Sequence, residues 1–214
     1  LQYQNTLGDK TILKVQASTG RYGTTYFDPS DVEGFEVETG LNYSNTKAML
    51  FLSPNEKHNI QLGIEGNYYQ GLTERLGPFG EGSGTLSFEV PKDRGVELAA
   101  FIDEEWNPRP WLALRAGLRV SGFGQIGPDS YFQYREDLPK DITTITDTVQ
   151  VGSGERVATY GGLEPRLAAR ISLRENIALK LSYNRLRQYI HLISNTSAPT
   201  PIDLWQVSNV HIPG

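Results

Sequence analysis

The sequence predicts an all-β chain of antiparallel strands, of the kind that builds a transmembrane β-barrel. Three observations predict it: apolar and polar residues alternate with a period of two over segments of about ten residues, the links between these segments are alternately short and long, and aromatic residues fall at segment ends. Helical spacing is hard to find. Read in chain order, weaker strand signals cover about 1 to 6, 11 to 24 and 40 to 52. Residues 59 to 69 are clear, with Ile60, Leu62, Ile64, Gly66 and Tyr68 opposing Gln61, Gly63, Glu65, Asn67 and Tyr69. A weaker signal spans 95 to 106. In 111 to 123, Leu112, Leu114, Ala116, Leu118 and Val120 oppose Ala113, Arg115, Gly117, Arg119 and Ser121. Residues 163 to 174 set Pro165, Leu167, Ala169 and Ile171 against Glu164, Arg166, Ala168 and Arg170, and from 177 onward Ile177, Leu179, Leu181 and Tyr183 oppose Ala178, Lys180, Ser182 and Asn184. The expectation is about eight strands and no helix.

The tight links 53–57, 107–110 and 174–176 are made of turn residues. The intervening segments 25–39, 71–94 and 125–161 read as long loops. If neighbouring strands are antiparallel, all short links lie at one end of the sheet and all long loops at the other, the layout of an outer-membrane barrel. An 11-residue strand at about 3.3 Å per residue and a tilt near 45° projects to roughly 25 Å, the height of a barrel's apolar band. Trp106 and Trp111 at the turn end, and Tyr68 and Tyr69 at the loop end, take the positions of two aromatic girdles. Periodicity by itself does not say which face is inside. The basic face, with Arg115, Arg119, Arg166, Arg170 and Lys180 among small residues, suits a wet lumen. Glu65, Asn67 and Asn184 join it as candidate lumen-facing residues.

Composition narrows the function classes. The chain has 214 residues, no cysteine and three separated histidines, His58, His191 and His211. There is thus no disulfide framework, no thiolate metal site and no histidine cluster. A net charge of −5 argues against a nucleic-acid partner. No apolar run reaches the length of a transmembrane helix, but a barrel wall needs none. A chain that begins at Leu1 and closes on Gly214 reads as an excised piece of something longer.

Several segments resemble the barrel of TonB-dependent outer-membrane receptors of the form common in Bacteroidetes. Asp103-Glu104-Glu105-Trp106 followed by Leu112-Ala113-Leu114-Arg115-Ala116-Gly117-Leu118-Arg119 is similar to that family's recurring "DEW…LNAGLR" hairpin. Leu163-Glu164-Pro165-Arg166-Leu167-Ala168-Ala169-Arg170 is similar to its "LEPRLALR" strand. The likeness continues through Leu181–Arg185, Gln188–Leu192 and Pro201–Trp205, and it is specific from about residue 95 to 205. The resemblance implies a 22-stranded barrel of which residues 1–214 form about a third, and a cell outer-membrane location. It also implies a plug domain and further wall strands as neighbours, outer-membrane lipid as surroundings, and TonB as the energy-coupling partner. The implied function is uptake of a scarce ligand such as a metal chelate, vitamin or oligosaccharide, with no enzymatic activity. No plug, TonB box or terminal aromatic strand is recognisable in the chain. The alternative is a complete eight-stranded outer-membrane barrel acting as a binding protein or surface hydrolase, for which residues 1–6 would pair with 177–190.

No catalytic, cofactor or metal residue is expected. Gly77, Gly80, Gly82 and Gly84 lack the Gly-Lys-Ser/Thr ending of a phosphate loop. Asp103, Glu104 and Glu105 cannot converge on a regular strand, since Glu104 points to the other face. The acidic residues Asp28, Asp31, Glu33, Glu36 and Glu38 of the 25–39 loop lack the ligand spacing of an EF-hand and read as a solvated acidic loop. Ser194 near His191 has no placed acid for a triad. The lumenal arginines carry two readings: an anion-attracting path, or ion pairs with acids of neighbouring strands or of the plug.

Overall fold

The alternating segments become the strands of one meandering antiparallel sheet. The computed structural model describes residues 1–30, 33–72, 75–80, 82–89, 93–194 and 203–214. Its strands are β1 (Gln2–Thr6), β2 (Thr11–Asp28), β3 (Phe35–Asn55), β4 (His58–Gly71), β5 (Arg75–Pro78), β6 (Phe88–Glu89), β7 (Arg94–Arg109), β8 (Leu112–Ile126), β9 (Asp129–Tyr134), β10 (Ile145–Val151), β11 (Arg156–Arg174), β12 (Ile177–Asn184), β13 (Ile190–Ser194) and β14 (Asp203–Val207). Among the described residues the only helical element is a 3₁₀ turn, Ile142–Thr144.

The main path runs β1-β2-β3-β4-β7-β8-β11-β12, every neighbour antiparallel. The eight predicted strands are therefore present and in sequence order. β1 and β12 each bond to one neighbour and not to each other. The sheet is open, and the pairing that a complete eight-stranded barrel requires is not formed.

Loop sorting holds at the turn end, where Asn55 pairs with His58, Arg109 with Leu112 and Arg174 with Ile177 around the tight links. The other end corrects the sequence reading. The expected 25–39 loop is mostly strand, because Thr25 pairs with Glu38 and Asp28 with Phe35. The expected 71–94 loop holds β5, which pairs with Phe35–Glu38 of β3, and β6. The expected 125–161 loop holds the β9–β10 ribbon and the start of β11. The strands thus run well past an 11-residue span, to 21 residues in β3.

Cross-strand register assigns the faces. On one face Leu13, Leu50, Leu62, Ile102, Leu118 and Pro165 form a continuous row, and Ala48, Ile64, Ala100, Val120 and Leu163 form the next. The opposite face carries the charges. Pro165 sits in a strand paired on both sides, an unusual place for a residue without an N–H. Its carbonyl accepts from the Arg185 N–H at 3.0 Å, just past the last β12 pair, Arg166 with Asn184. Its nitrogen faces that same side, so the ladder to β8 keeps its bonds and only the reciprocal bond to the Arg185 carbonyl is forgone, at the end of β12.

After β12 the chain turns back over the polar face. Tyr189 and Val207 bury against Phe123 of β8, with the Phe123 and Tyr189 rings stacked at 5.1 Å. Trp205 of β14 meets Tyr22 edge-on at 5.8 Å. The small core of the molecule therefore lies on the polar face, toward the long-loop end.

Candidate functional site: a charged network on the polar face

All eight candidate residues, Glu65, Asn67, Arg115, Arg119, Arg166, Arg170, Lys180 and Asn184, share one face by register. The structure brings only some of them together. Arg119 is the centre: Nη1 donates to Glu164 Oε1 at 2.8 Å and Nη2 to Glu97 Oε1 at 2.7 Å, and Glu65 Oε2 lies 3.6 Å away. The Glu164 side chain is 1% exposed and that of Arg119 12%, so this is a partly desolvated cluster with strong charge-assisted bonds.

Each carboxylate near the guanidinium has further donors or a second cation. Ser121 Oγ donates to Glu164 Oε1 at 2.6 Å. Having given its only proton there, Ser121 must accept from the Tyr189 hydroxyl at 2.8 Å. Tyr69 donates to Glu97 Oε2 at 3.0 Å and Asn67 at 3.3 Å. Asn45 Nδ2 spans Glu65 and the Asn67 carbonyl oxygen. Lys47 stands 3.9 Å from Glu65, and Arg166 stands 3.9 Å from Glu164. Three carboxylates thus face three cations. The network is electroneutral, although the buried Arg166 Nε has no hydrogen-bond partner, which makes it a structural tie across five strands rather than a source of free charge.

Local sequence allows it. An ideal Cβ at Gly117 would overlap Asp103 Oδ1, so glycine there makes room for the carboxylate, which Arg115 Nη2 approaches at 3.6 Å. Gly63 similarly receives the Phe101 ring from the neighbouring strand. Arg170 and Lys180 pair directly in register, are exposed, and among the described residues have no ion-pair partner. The two readings of the arginines therefore divide between residues: Arg119 pairs with neighbouring-strand acids, while Arg170 and Lys180 leave positive charge in solvent.

Sequence reasoning missed Glu97, Glu164, Ser121, Tyr69 and Tyr189 as members. A signal existed for the first two: Glu65, Glu97 and Glu164 fall on the same alternation phase as the arginines. Tyr69, expected in a girdle, points to the polar face, while Tyr68 stays on the apolar face with 39% exposure. As expected, Glu104 leaves its neighbours; it meets His58 Nδ1 at 2.7 Å on the apolar side, beside Trp106.

The other candidates do not assemble. Asp28 accepts from the Ser30 N–H, Asp31 lies outside the described residues, Glu33 sits in the turn before β3, and Glu36 and Glu38 take alternate positions of β3. No group of three metal-ligating side chains occurs among the described residues. His191 Nε2 lies 3.1 Å from Ser208 Oγ, and the Ser194 side chain and Pro201-Ile202 lie outside the described residues.

At the long-loop end, His211 sits edge-on to Tyr131 and Tyr134 and 3.2 Å from Lys140 Nζ. Burial, then the Lys140 charge, holds its imidazole below the ordinary histidine value. A lowered folded pKa means that the proton binds the unfolded segment better. This contact is at full strength above about pH 6.5 and weakens as pH falls below it. The protection factors of the Asn209–Ile212 amides, corrected for the intrinsic pH dependence of exchange, are expected to fall on acidification across that range, and His211→Gln to remove the dependence.

No family model, curated protein or solved structure matches the chain.

Proposed function

We propose that this chain is part of the wall of an outer-membrane transport barrel of the TonB-dependent receptor kind, with its apolar face toward lipid and its charged face toward a plug-filled lumen. One observation carries the reading: large apolar side chains stand exposed on a single face, among them Ile64 and Leu98 at 64%, Leu181 at 57%, Leu167 at 53% and Ile102 at 51%. Patches of this extent on a water-soluble monomer mark an interaction surface.

The apolar residues also stop at a definite height. On β8 the outward series Leu112, Leu114, Ala116, Leu118, Val120 gives way to Gly122 and Gly124. On β11 the series from Ile171 to Leu163 gives way to Gly161 and Thr159. Nine residues at about 3.3 Å, tilted near 45°, project to roughly 21 Å, close to a bilayer's apolar band. Just beyond it these outward positions are small or polar, as suits water, while Phe123 and Tyr160 lie on the other face, in the small core. Trp106 and Trp111, 42% and 51% exposed, stand at the turn end of the band.

Under this reading the Arg119 network braces the wall, and the exposed pair Arg170 and Lys180 faces the plug or an acidic ligand. The transported ligand is of the scarce-nutrient class; no catalytic role is assigned. Detergent dependence tests it. The chain is expected to be monodisperse with native strand content only in micelles or bilayers, and to aggregate in plain buffer through its apolar face and open edges. Stable, folded monomer in buffer without detergent sinks the proposal.

A further inference from the structure

At the long-loop end, away from the Arg119 network, a cavity of about 240 Å³ opens between the end of β8, the β9–β10 ribbon and the segment after β14. We propose that this cavity is a binding site for a neutral, polyhydroxylated ring of monosaccharide size. The site is built from residues that the wall does not need, and the proposal stands independently of the membrane reading.

The lining sets the ligand class. Tyr131, Tyr134 and His211 contribute aromatic surface. The two tyrosines meet His211 edge-on, at interplanar angles of 80° and 68°. Edge-on packing leaves ring faces unstacked, and an aromatic face is the usual partner for the C–H face of a pyranose. Among the described residues no lysine or arginine lines the cavity, and Asp93 and Asp129 do; the nearest ammonium, Lys140, is engaged by His211 Nδ1 at 3.2 Å, so the lining carries more negative than positive charge and disfavours a phosphate or carboxylate ligand. The polar groups are instead amides and carboxylates, including Gln125, Asp129 and Gln206. Acceptors and amide donors side by side fit vicinal hydroxyls, each of which gives one hydrogen bond and accepts others.

Gln125 is the strongest single indication. It is 1% exposed, its Nε2 donates to Asp129 Oδ2 at 2.8 Å, and its Oε1 is buried without a partner. Flipping the amide would turn Oε1 against the carboxylate, so Asp129 fixes the orientation and leaves an acceptor unused. A buried acceptor without a donor is uncommon in folded proteins. A ligand hydroxyl arriving beside it supplies the missing proton. The size suits one ring, being below the range of drug-sized pockets.

The test is ligand-observed NMR on the chain in micelles of a sugar-free detergent such as lauryldimethylamine oxide. Methyl β-glucopyranoside is the probe, with inorganic phosphate and tetramethylammonium as charged controls. Saturable sugar binding is expected, with neither control competing. Tyr134→Ala and Gln125→Leu should each weaken it about tenfold, the equivalent of one lost contact, while Arg174→Gln, at the turn end of the sheet, changes nothing. Circular dichroism of each variant checks that the sheet persists. If Gln125→Leu unfolds, Tyr134→Ala alone decides. Absent sugar binding, binding unchanged by the cavity substitutions, or phosphate bound at least as well overturns the site. None of these results bears on detergent dependence, so failure here and failure of the membrane reading are read separately.

Discussion

Replacing Arg119 by methionine is expected to destabilise the folded sheet by about 3–5 kcal/mol, the cost typical of removing one partner from a buried ion pair. Methionine keeps much of the side-chain volume, so the loss comes from charge rather than from a cavity. Without the guanidinium, Glu97 and Glu164 remain on either side of the vacated position with their strongest donor gone, 9% and 1% exposed. Lys47 and Arg166, each 3.9 Å from its nearest carboxylate, are too distant to replace two bonds of 2.7 and 2.8 Å. The urea midpoint in micelles measures the effect. A second substitution separates mechanism from mere damage: in the triple variant Arg119→Met, Glu97→Gln, Glu164→Gln no buried charge is orphaned, and most of the stability should return. A triple variant no better than the single one would mean that the guanidinium acts through shape.

That network shows what was legible in the sequence and what was not. Alternation places a residue on a face, so the sequence alone puts Arg119 and Glu65 on the charged faces of their strands. Alternation does not place it along the strand. Which acid meets Arg119 depends on register, set by the tight turns at Asn55–His58 and Arg109–Leu112, and a two-residue slip would give different pairs with the same pattern. The contribution of Tyr189 was hidden for another reason. It arrives from a segment that leaves the wall and folds back over it, and local periodicity carries no trace of such a return.

Strand ends failed in a systematic way. Predicted strands stopped near Tyr69, Phe123 and Leu163, whereas the real ones continue to Gly71 and Ile126 and begin at Arg156. The error falls on the long-loop side each time. There Gln70, Gly124 and Thr159 replace apolar residues on the outward face, so the contrast between faces disappears while the ladder continues. A strand with two polar faces is invisible to a hydrophobic period. The β9–β10 ribbon was missed for the same reason, although Tyr131, Phe132, Thr146, Thr148 and Val149 carry strand propensity that composition alone could have flagged. What the period did report was the apolar band.

Introducing arginine at the centre of that band is expected to separate the lipid-facing reading from any soluble one. Ile102 and Leu118 are paired in register, lie midway along their apolar series, and are 51% and 40% exposed. In water, arginine at so accessible a position is close to neutral, within about 0.5 kcal/mol, as for most surface substitutions. Against hydrocarbon, Ile102→Arg or Leu118→Arg should each cost about 2–4 kcal/mol. Gly124 supplies the matched control two turns of the pleat beyond Val120. A Cβ there meets no atom within 4 Å, so Gly124→Arg adds charge without a clash, and its expected cost at the edge of the band is only about 0–1 kcal/mol. Unfolding in lipid vesicles measures all three. A depth profile, costly at 102 and 118 and mild at 124, with a gap of about 2–4 kcal/mol, follows only if lipid covers this face: strand propensity also favours the Gly124 change over the Ile102 change, but its whole scale spans only about 1 kcal/mol. Equal, small effects at all three would place the apolar face against water or a protein partner.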